Sequence, residues 1–325
     1  MPPPPDLSSY RLSDADSNRI FQEEILPAEF PADGAPSRSQ RSKPLAVLAV
    51  GQTGAGKTLL APAIIEAHGL SSASKPAHFI ADTYKTYHPE YTRLMLSTPQ
   101  HASPATGPDA RKWLAMAAEE ATKRKADVVL ESACRHPDDF CELAALFHQA
   151  GYRVEVVVLA VPAALSRLGI LSRFYDKKPE AQSRNLPVRL TPVKVHDDSY
   201  AGLLHAAKYL DESGIADQVL VVRRGNLVAY GWEKANGEAA AIAEAVEQER
   251  KRNLTDAEMK SALDDTQKLS MYEDAKGQLE QVRELLKPLI GENKHGSNYS
   301  ALIPIEAAQK DGDKKADNVL RLGYA

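Results

Sequence analysis

The sequence predicts an α/β fold, a mostly parallel central sheet with helices on both faces and additional C-terminal helices. Three observations predict it. Short uninterrupted apolar runs recur between residues 45 and 222, as strands buried on both faces require. Helical patterns fill the gaps between them, long enough for right-handed βαβ crossovers. The first apolar run leads directly into a glycine-rich turn and a helix.

In chain order, residues 45–50 (Leu-Ala-Val-Leu-Ala-Val) are the first strand, and a helix is predicted over 58–68. Residues 78–81, 127–131, 153–161 and 217–222 are the next four strands, 153–161 being the strongest. Helices are expected at about 109–125, 137–150, 162–174 and 192–211, and 227–230 adds an edge strand after the Arg224-Gly225-Asn226 turn. Upstream, Ser13 to Asp16 caps a helix through about Ile25, and the Pro/Ser/Arg-rich residues 31–44 read as linker. Downstream, 238–252 reads as a helix, and Thr255-Asp256-Ala257-Glu258 has the form of a capping box opening a second, long one. Residues beyond 291 are polar and glycine-containing, a tail.

Composition narrows the function. With 40 Lys plus Arg against 44 Asp plus Glu, a net charge of −4 gives no general grip on nucleic acid or anionic membrane. Two cysteines, Cys134 and Cys141, are too few for a disulfide framework and suit a reducing compartment. The start of the chain has no basic and apolar leader, and the apolar runs are far shorter than a membrane span, so a cytoplasmic protein is expected. The nine histidines show no zinc spacing.

The chemistry begins at Gly51-Gln52-Thr53-Gly54-Ala55-Gly56-Lys57-Thr58, which satisfies G-x-x-x-x-G-K-[ST] between an apolar strand and a helix. Such a loop turns its N–H groups and the helix N-terminus toward phosphates. Lys57 is expected on the β- and γ-phosphates of ATP, and the Thr58 hydroxyl on Mg²⁺. No guanine-reading N-K-x-D is present, and an arginine-containing connection follows the compact sheet. That favours a P-loop kinase whose lid brings in arginines, because phosphoryl transfer develops charge on the γ-phosphate oxygens.

Further motifs follow in order: Ile80-Ala81-Asp82 through His88-Pro89-Glu90-Tyr91, Val128-Val129-Leu130-Glu131-Ser132-Ala133-Cys134-Arg135, Ser172-Arg173-Phe174-Tyr175, and Val188-Arg189-Leu190-Thr191-Pro192 with His196-Asp197. On these the stretch from about Leu45 to Tyr230 resembles the zeta toxin family of bacterial kinases. The resemblance implies ATP-dependent phosphorylation of UDP-N-acetylglucosamine at the 3′-hydroxyl of its amino sugar, which starves cell-wall synthesis. It also implies a small helical antitoxin that blocks the nucleotide site. Asp82 then corresponds to the catalytic aspartate, Glu131 to the acidic strand end facing the sugar, and Arg173 and Arg189 to the lid.

The residues carry their own weight. Asp82 ends a strand where parallel sheets place ligands and can take the proton from an attacking hydroxyl; its competing use is as N-cap of the helix starting near Thr83. Glu131 either binds substrate hydroxyls, acts through water on Mg²⁺, or is a solvated strand-end carboxylate, and substrate contact is favoured, with Ser132 beside it. Ala133 stands where the family has a threonine, which leaves the acceptor open. Two guanidiniums, Arg173 and Arg189, suit γ-phosphate oxygens, Lys177 and Arg184 are weaker candidates between them, and Arg135 is expected to meet a substrate diphosphate. His196 and Asp197 are read as structural, since helix neighbours do not face one another. Tyr84, Tyr87 and Tyr91 either stack on a ligand or form one packed helix face.

The expected organisation is an N-terminal helix and Pro-rich linker (1–44), a zeta-toxin-like kinase core (45–236), a helical extension (237–290) and a mobile tail (291–325). Three functions are carried forward: a UDP-N-acetylglucosamine kinase, a kinase of another nucleotide hydroxyl such as the ribose of NAD (as in exported effectors), and a nucleotide-gated interaction protein using the 237–290 helices. The N-terminal helix is expected to pack on the surface, with a second possibility that it covers the nucleotide site in place of an antitoxin.

Overall fold

The computed structural model describes residues 6–31, 41–68, 70, 75–184, 188–291 and 300–301. Most of the predicted linker and all of the tail beyond 291 except 300–301 lie outside the described residues. The chain opens with α1 (Asp14–Ile20), a π turn (Phe21–Ile25) and α2 (Leu26–Glu29). The core then runs β1 (Leu45–Gly51), α3 (Lys57–Ala67), β2 (Ala77–Ile80), a 3₁₀ turn (Thr83–Tyr87), α4 (Tyr91–Ser97), α5 (Pro99–Arg124), β3 (Val128–Ser132), α6 (Pro137–Gln149), β4 (Arg153–Leu159), α7 (Ala163–Ser183), α8 (Val193–Ser213), β5 (Gln218–Val222) and β6 (Leu227–Glu233). It closes with α9 (Ile242–Lys251), α10 (Asp256–Leu269), α11 (Lys276–Leu286) and the two-residue β7 (Ser300–Ala301).

The strands form one sheet in the order β2-β3-β1-β4-β5-β6-β7. The first five are parallel, and β6 and β7 are added antiparallel. Register brings Val50 opposite Ser132 and Gly51 opposite Leu159, so β1, β3 and β4 end together. From β1 the chain crosses to β2 on one side and later reaches β4 on the other, which opens a crevice at the carboxyl end of β1.

Period-two alternation sorts the strand side chains between two cores. Ala46, Leu48 and Val50 face Phe79, Trp113, Phe140 and Leu203, whereas Leu45, Val47 and Ala49 face Leu60, Ile64, Leu168 and Leu171. Thus α5, α6, α8 and α9 cover one face, and α3, α7, α10 and α11 the other.

The structure departs from the sequence reading in four places. The N-terminal segment is more than surface packing: Ile20, Phe21, Ile25 and Phe30 are buried in the first core, and Trp113 Nε1 donates to Ser17 O at 3.0 Å. That burial ties it to the α5 side, and among the described residues none before Thr53 lines the cavity at the carboxyl ends of β1, β2 and β3. Next, α5 starts at Pro99, ten residues earlier than expected, and runs through Pro104 and Pro108, where local breaker rules lose to packing. Likewise α7 passes through Pro179 to Ser183, so much of the expected lid connection is helix; residues 185–187 lie outside the described residues. The reason is external support, because Tyr272 stacks on Tyr175 with ring centroids 4.3 Å apart and Lys178 pairs with Asp274 at 2.8 Å. Finally, the long C-terminal helix is two, α10 and α11, separated at Ser270–Ala275; its capping box at Thr255 and Glu258 forms as expected.

Candidate active site

The loop 51–58 leaves β1 and bends through two left-handed glycines, Gly54 (φ 82°) and Gly56 (φ 113°), before α3 begins at Lys57. A Cβ on Gly54 would stand 2.1 Å from Ser166 O, so no other residue fits there. The loop is held from several sides. Lys57 Nζ folds back to donate to Gly51 O at 2.7 Å and to Gln52 O at 3.4 Å. Thr53 N donates to Ser199 Oγ at 3.2 Å. Arg224, in the β5–β6 turn, donates to Gly54 O at 2.7 Å and Ala55 O at 3.2 Å. The fully buried Gln52 donates to Val161 O at 2.6 Å and to Ser166 Oγ at 3.2 Å. Thr58 sits exposed in the first turn of α3.

Beside the loop lies a cavity of about 560 Å³ at the carboxyl ends of β1, β2 and β3. It gathers Asp82, Ser132, Arg135, Arg173 and Arg189 from four separate stretches of chain, together with Thr53. Of the weaker candidates, Lys177 lines the cavity and Arg184 instead pairs with Glu180 on the surface at 3.3 Å. The small-residue face of α5 (Ser103, Gly107) forms the opposite wall.

Asp82 occupies the N-cap position of the 3₁₀ turn but makes no capping hydrogen bond. Its carboxylate, 80% exposed, opens to the cleft and meets Lys85 Nζ at 2.5 Å. The surrounding walls alone would raise its pKa, yet the cations Lys85, Lys57 and Arg173 outweigh them and leave it below the ordinary value of 3.8. For Lys57 desolvation dominates and lowers the pKa, against the pull of Asp82, Cys134 and Glu131. Burial also lowers Arg189, whose neighbours include Tyr91, Arg135 and Asp82. The Nε groups of Arg135 and Arg189 are buried without a hydrogen-bond partner, and the nearest carboxylate to Arg135 Nε is Asp198 at 3.9 Å.

Other candidates sort differently. Glu131 is 5% exposed, is not among the cavity walls, and hydrogen-bonds the ring Nε2 of His78 at 3.0 Å, so the solvated strand-end reading fails. Ser132 Oγ accepts from Cys134 N at 3.2 Å while lining the cavity, and the Ala133 methyl lies next to it. Cys134 is buried with its thiol pushed up to about 12 by desolvation, which marks it as inert. A left-handed Cys134 (φ 50°) turns the chain so that Arg135 reaches the cavity. The approach of α8 there is close, since a Cβ on Gly202 would stand 1.9 Å from Cys134 O.

His196 and Asp197 do meet, contrary to the expectation for helix neighbours: His196 Nδ1 and Asp197 Oδ1 lie 2.9 Å apart near the start of α8. His196 also bonds Ser166 Oγ at 2.7 Å, and Arg167 clamps Asp197 at 2.7 and 3.0 Å. None of Ser166, His196 and Asp197 lines the cavity, and their bonds tie α7 to α8. The three tyrosines split: Tyr84 is core, Tyr87 packs against it and Tyr91 lines the cavity.

Sequence reasoning missed Lys85, Arg111, His136 and Asp139, all on the cavity; Arg111 pairs with Asp139 at 3.0 Å. For Lys85 the signal was present, a cation three residues after Asp82. Among the described residues no group of three or more His, Cys, Asp or Glu side chains is arranged to hold a metal. None of the described helices is long and apolar enough to cross a membrane.

Several known proteins are similar to this chain over most of its length. The chain is 24% identical over 226 residues to toxin zeta of Enterococcus hirae, covering 68% of this chain and 74% of that protein. It is 23% identical over 211 residues to toxin PezT of Streptococcus pneumoniae, covering 63% and 78%. The solved structure from the PezAT chromosomal toxin-antitoxin system of S. pneumoniae superposes with a TM-score of 0.63 at 17% identity, over 81% of this chain and all of that one. Residues 32–235 match the zeta toxin family, and with phosphate loop, sheet order and match in agreement, the chain belongs to that family.

Proposed function

We propose that this protein is an ATP-dependent phosphotransferase that phosphorylates a hydroxyl of a nucleotide-linked sugar, with the 3′-hydroxyl of UDP-N-acetylglucosamine as acceptor. One observation carries the reading: an ionised, uncapped Asp82 carboxylate opens into a cavity that adjoins the phosphate loop and is rimmed by Arg135, Arg173 and Arg189.

In this reading Gly51 to Thr58 bind the triphosphate and Lys57 exchanges its loop carbonyls for β- and γ-phosphate oxygens. Asp82 orients the acceptor hydroxyl and takes its proton as the new P–O bond forms. Arg173 and Arg189 meet the charge on the γ-phosphate oxygens, and Arg135 meets the acceptor's diphosphate, both suited to the fork of a guanidinium. Ser132 contributes a hydroxyl to the acceptor side, and Glu131, through His78, supports the strand ends behind Lys57. The exposed Thr58 hydroxyl would hold a Mg²⁺ ion together with the nucleotide's phosphates, and that ion would supply charge neutralisation there. The S. pneumoniae relative comes from a toxin-antitoxin system, which supports a cognate antitoxin as partner.

Ala133 puts a methyl on the cavity wall where the family has a hydroxyl, which leaves a second acceptor open, the ribose of NAD. The test is incubation with ATP and Mg²⁺ and a panel of UDP-N-acetylglucosamine, other UDP-sugars, NAD and nucleosides, read by mass spectrometry, with Lys57→Ala as blank. Phosphate on UDP-N-acetylglucosamine supports the first acceptor, and phosphate on NAD alone replaces it with the second. Nucleotide binding without transfer to any member removes the kinase reading in favour of a nucleotide-gated interaction protein.

A further inference from the structure

The zeta toxin match ends at residue 235, yet the phosphate loop of this chain is gripped from beyond it. Arg250 of α9 is 6% exposed. Its Nη1 donates to Tyr200 O at 2.9 Å, its Nη2 donates to Gln52 Oε1 at 3.2 Å, and its guanidinium lies 3.7 Å from the centroid of the Tyr200 ring. A buried cation held by a carbonyl, an amide oxygen and an aromatic face is expensive to place and tolerates little displacement.

The far end of α9 is fixed as well. Asp211 of α8 accepts from Ile242 N at 2.7 Å and Ala243 N at 2.9 Å, and Ile242 and Val246 are fully buried in the first core. At the near end, Gln52 is the second residue of the phosphate loop and its own carbonyl receives Lys57 Nζ. Gln52 therefore couples three things: the start of the bend, the resting place of the phosphate lysine and, through Val161 and Ser166, the entry to α7. A loop whose N–H groups must converge on one phosphate is sensitive to small shifts at its first residues.

We propose that Arg250 is a positioning residue for phosphate binding, and that α9 is a strut by which a helix outside the family match sets the path of the phosphate loop. The assignment rests on the nucleotide-binding part of the proposed function. It is separable from an ordinary stabilising role by comparing variants of the full chain. Arg250→Ala removes the strut, Arg250→Lys keeps the charge but not the two-sided fork, and Phe147→Leu loosens the core at the C-terminal end of α6, outside α9.

Thermal unfolding and calorimetric titration with ATP and Mg²⁺ are measured on each. Arg250→Ala is expected to raise the Kd for ATP about tenfold, as leaving the buried Gln52 oxygen unsatisfied implies. Arg250→Lys falls between it and the wild type, and Phe147→Leu loses thermal stability while binding ATP as the wild type does. Equal Kd values for Arg250→Ala and wild type overturn the assignment, as does a Phe147→Leu protein that weakens binding as much as Arg250→Ala. If Arg250→Ala does not fold, the Arg250→Lys and Phe147→Leu pair decides on the same criterion. A wild type that binds no ATP removes the proposed function and this assignment together, a result distinct from a wild type that binds and a variant that binds equally.

Discussion

At the phosphate loop the groups around the bend are already engaged: Gln52, Thr53, Gly54 and Ala55 each bond side chains or backbone brought from elsewhere in the fold. Across the cavity the rim is different. Arg135 and Arg189 bury Nε groups with no hydrogen-bond partner, and Asp82 stands largely in the open. The floor is preorganised, so a nucleotide finds its N–H groups in place and little ordering remains to be done on binding. The rim holds cations whose best partners are not protein groups, and such charges gain most when an anion arrives. Nucleotide affinity should therefore belong to the floor and turnover to the rim.

The most direct way to break that division is Asp82→Asn. The amide keeps the shape but cannot take a proton, so turnover of the acceptor found in the panel is expected to fall about 10²–10⁴-fold. ATP affinity, measured by titration, should stay within about twofold, the scatter allowed for a residue that does not touch the nucleotide. A comparable loss of affinity would show that Asp82 belongs to the floor. Arg189→Ala comes next, with an expected loss of about 10²–10³ in kcat for removing one charged donor from the developing phosphate charge. Arg189→Lys should recover little of it, because a point charge does not replace the two-donor fork.

A subtler test uses pH. The Asp82 pKa lies below 3.8 because the cations around it outweigh the cleft walls. In its proposed role as base Asp82 thus stays ionised as pH falls, and kcat/KM should be flat from about pH 8 to pH 5, carboxylates ordinarily titrating below that window. Lys85→Met removes the nearest of those cations, so the Asp82 pKa rises and the acid limb of the kcat/KM profile moves to higher pH. An unmoved limb in Lys85→Met would detach the profile from Asp82.

The local features of floor and rim were legible in the sequence and the long-range supports of the floor were not, for a physical reason. A phosphate loop is local: eight consecutive residues after an apolar run carry the whole bend, and the same holds for Asp82 at the end of the next strand. Arg250 reaching Gln52 spans 198 residues, and Arg224 reaching Gly54 spans 170, and no local pattern announces either. Helix lengths failed where packing overrode local rules. Pro104, Pro108 and Pro179 mark breaks by themselves, but α5 and α7 run through them. Glu131 reads from sequence as a strand end facing outward, and only the neighbouring strand supplies the His78 that occupies it. His196 and Asp197 read as structural from a rule about helix faces that their direct contact does not obey.

The smallest effect concerns how the rim is carried. Arg173 sits on α7, and α7 is braced from outside by Tyr272 stacked on Tyr175, Lys178 paired with Asp274, and a Lys268–Asp176 pair. The two ion pairs are exposed and contribute little, so the aromatic stack carries most of the brace. Tyr272→Ala should cost about 1–2 kcal/mol from the lost stack and partial burial, seen as a Tm lower by roughly 1–4 °C. Its ATP affinity should match the wild type, because no contact of Tyr272 reaches the loop that Arg224 and Arg250 hold. The contrast with Arg250→Ala is the informative one: that variant is expected to lose affinity, this one only stability. Were Tyr272→Ala to weaken ATP binding as well, floor and rim would have to be treated as one cooperative unit linked through Ser166, the residue of α7 that bonds both Gln52 and His196.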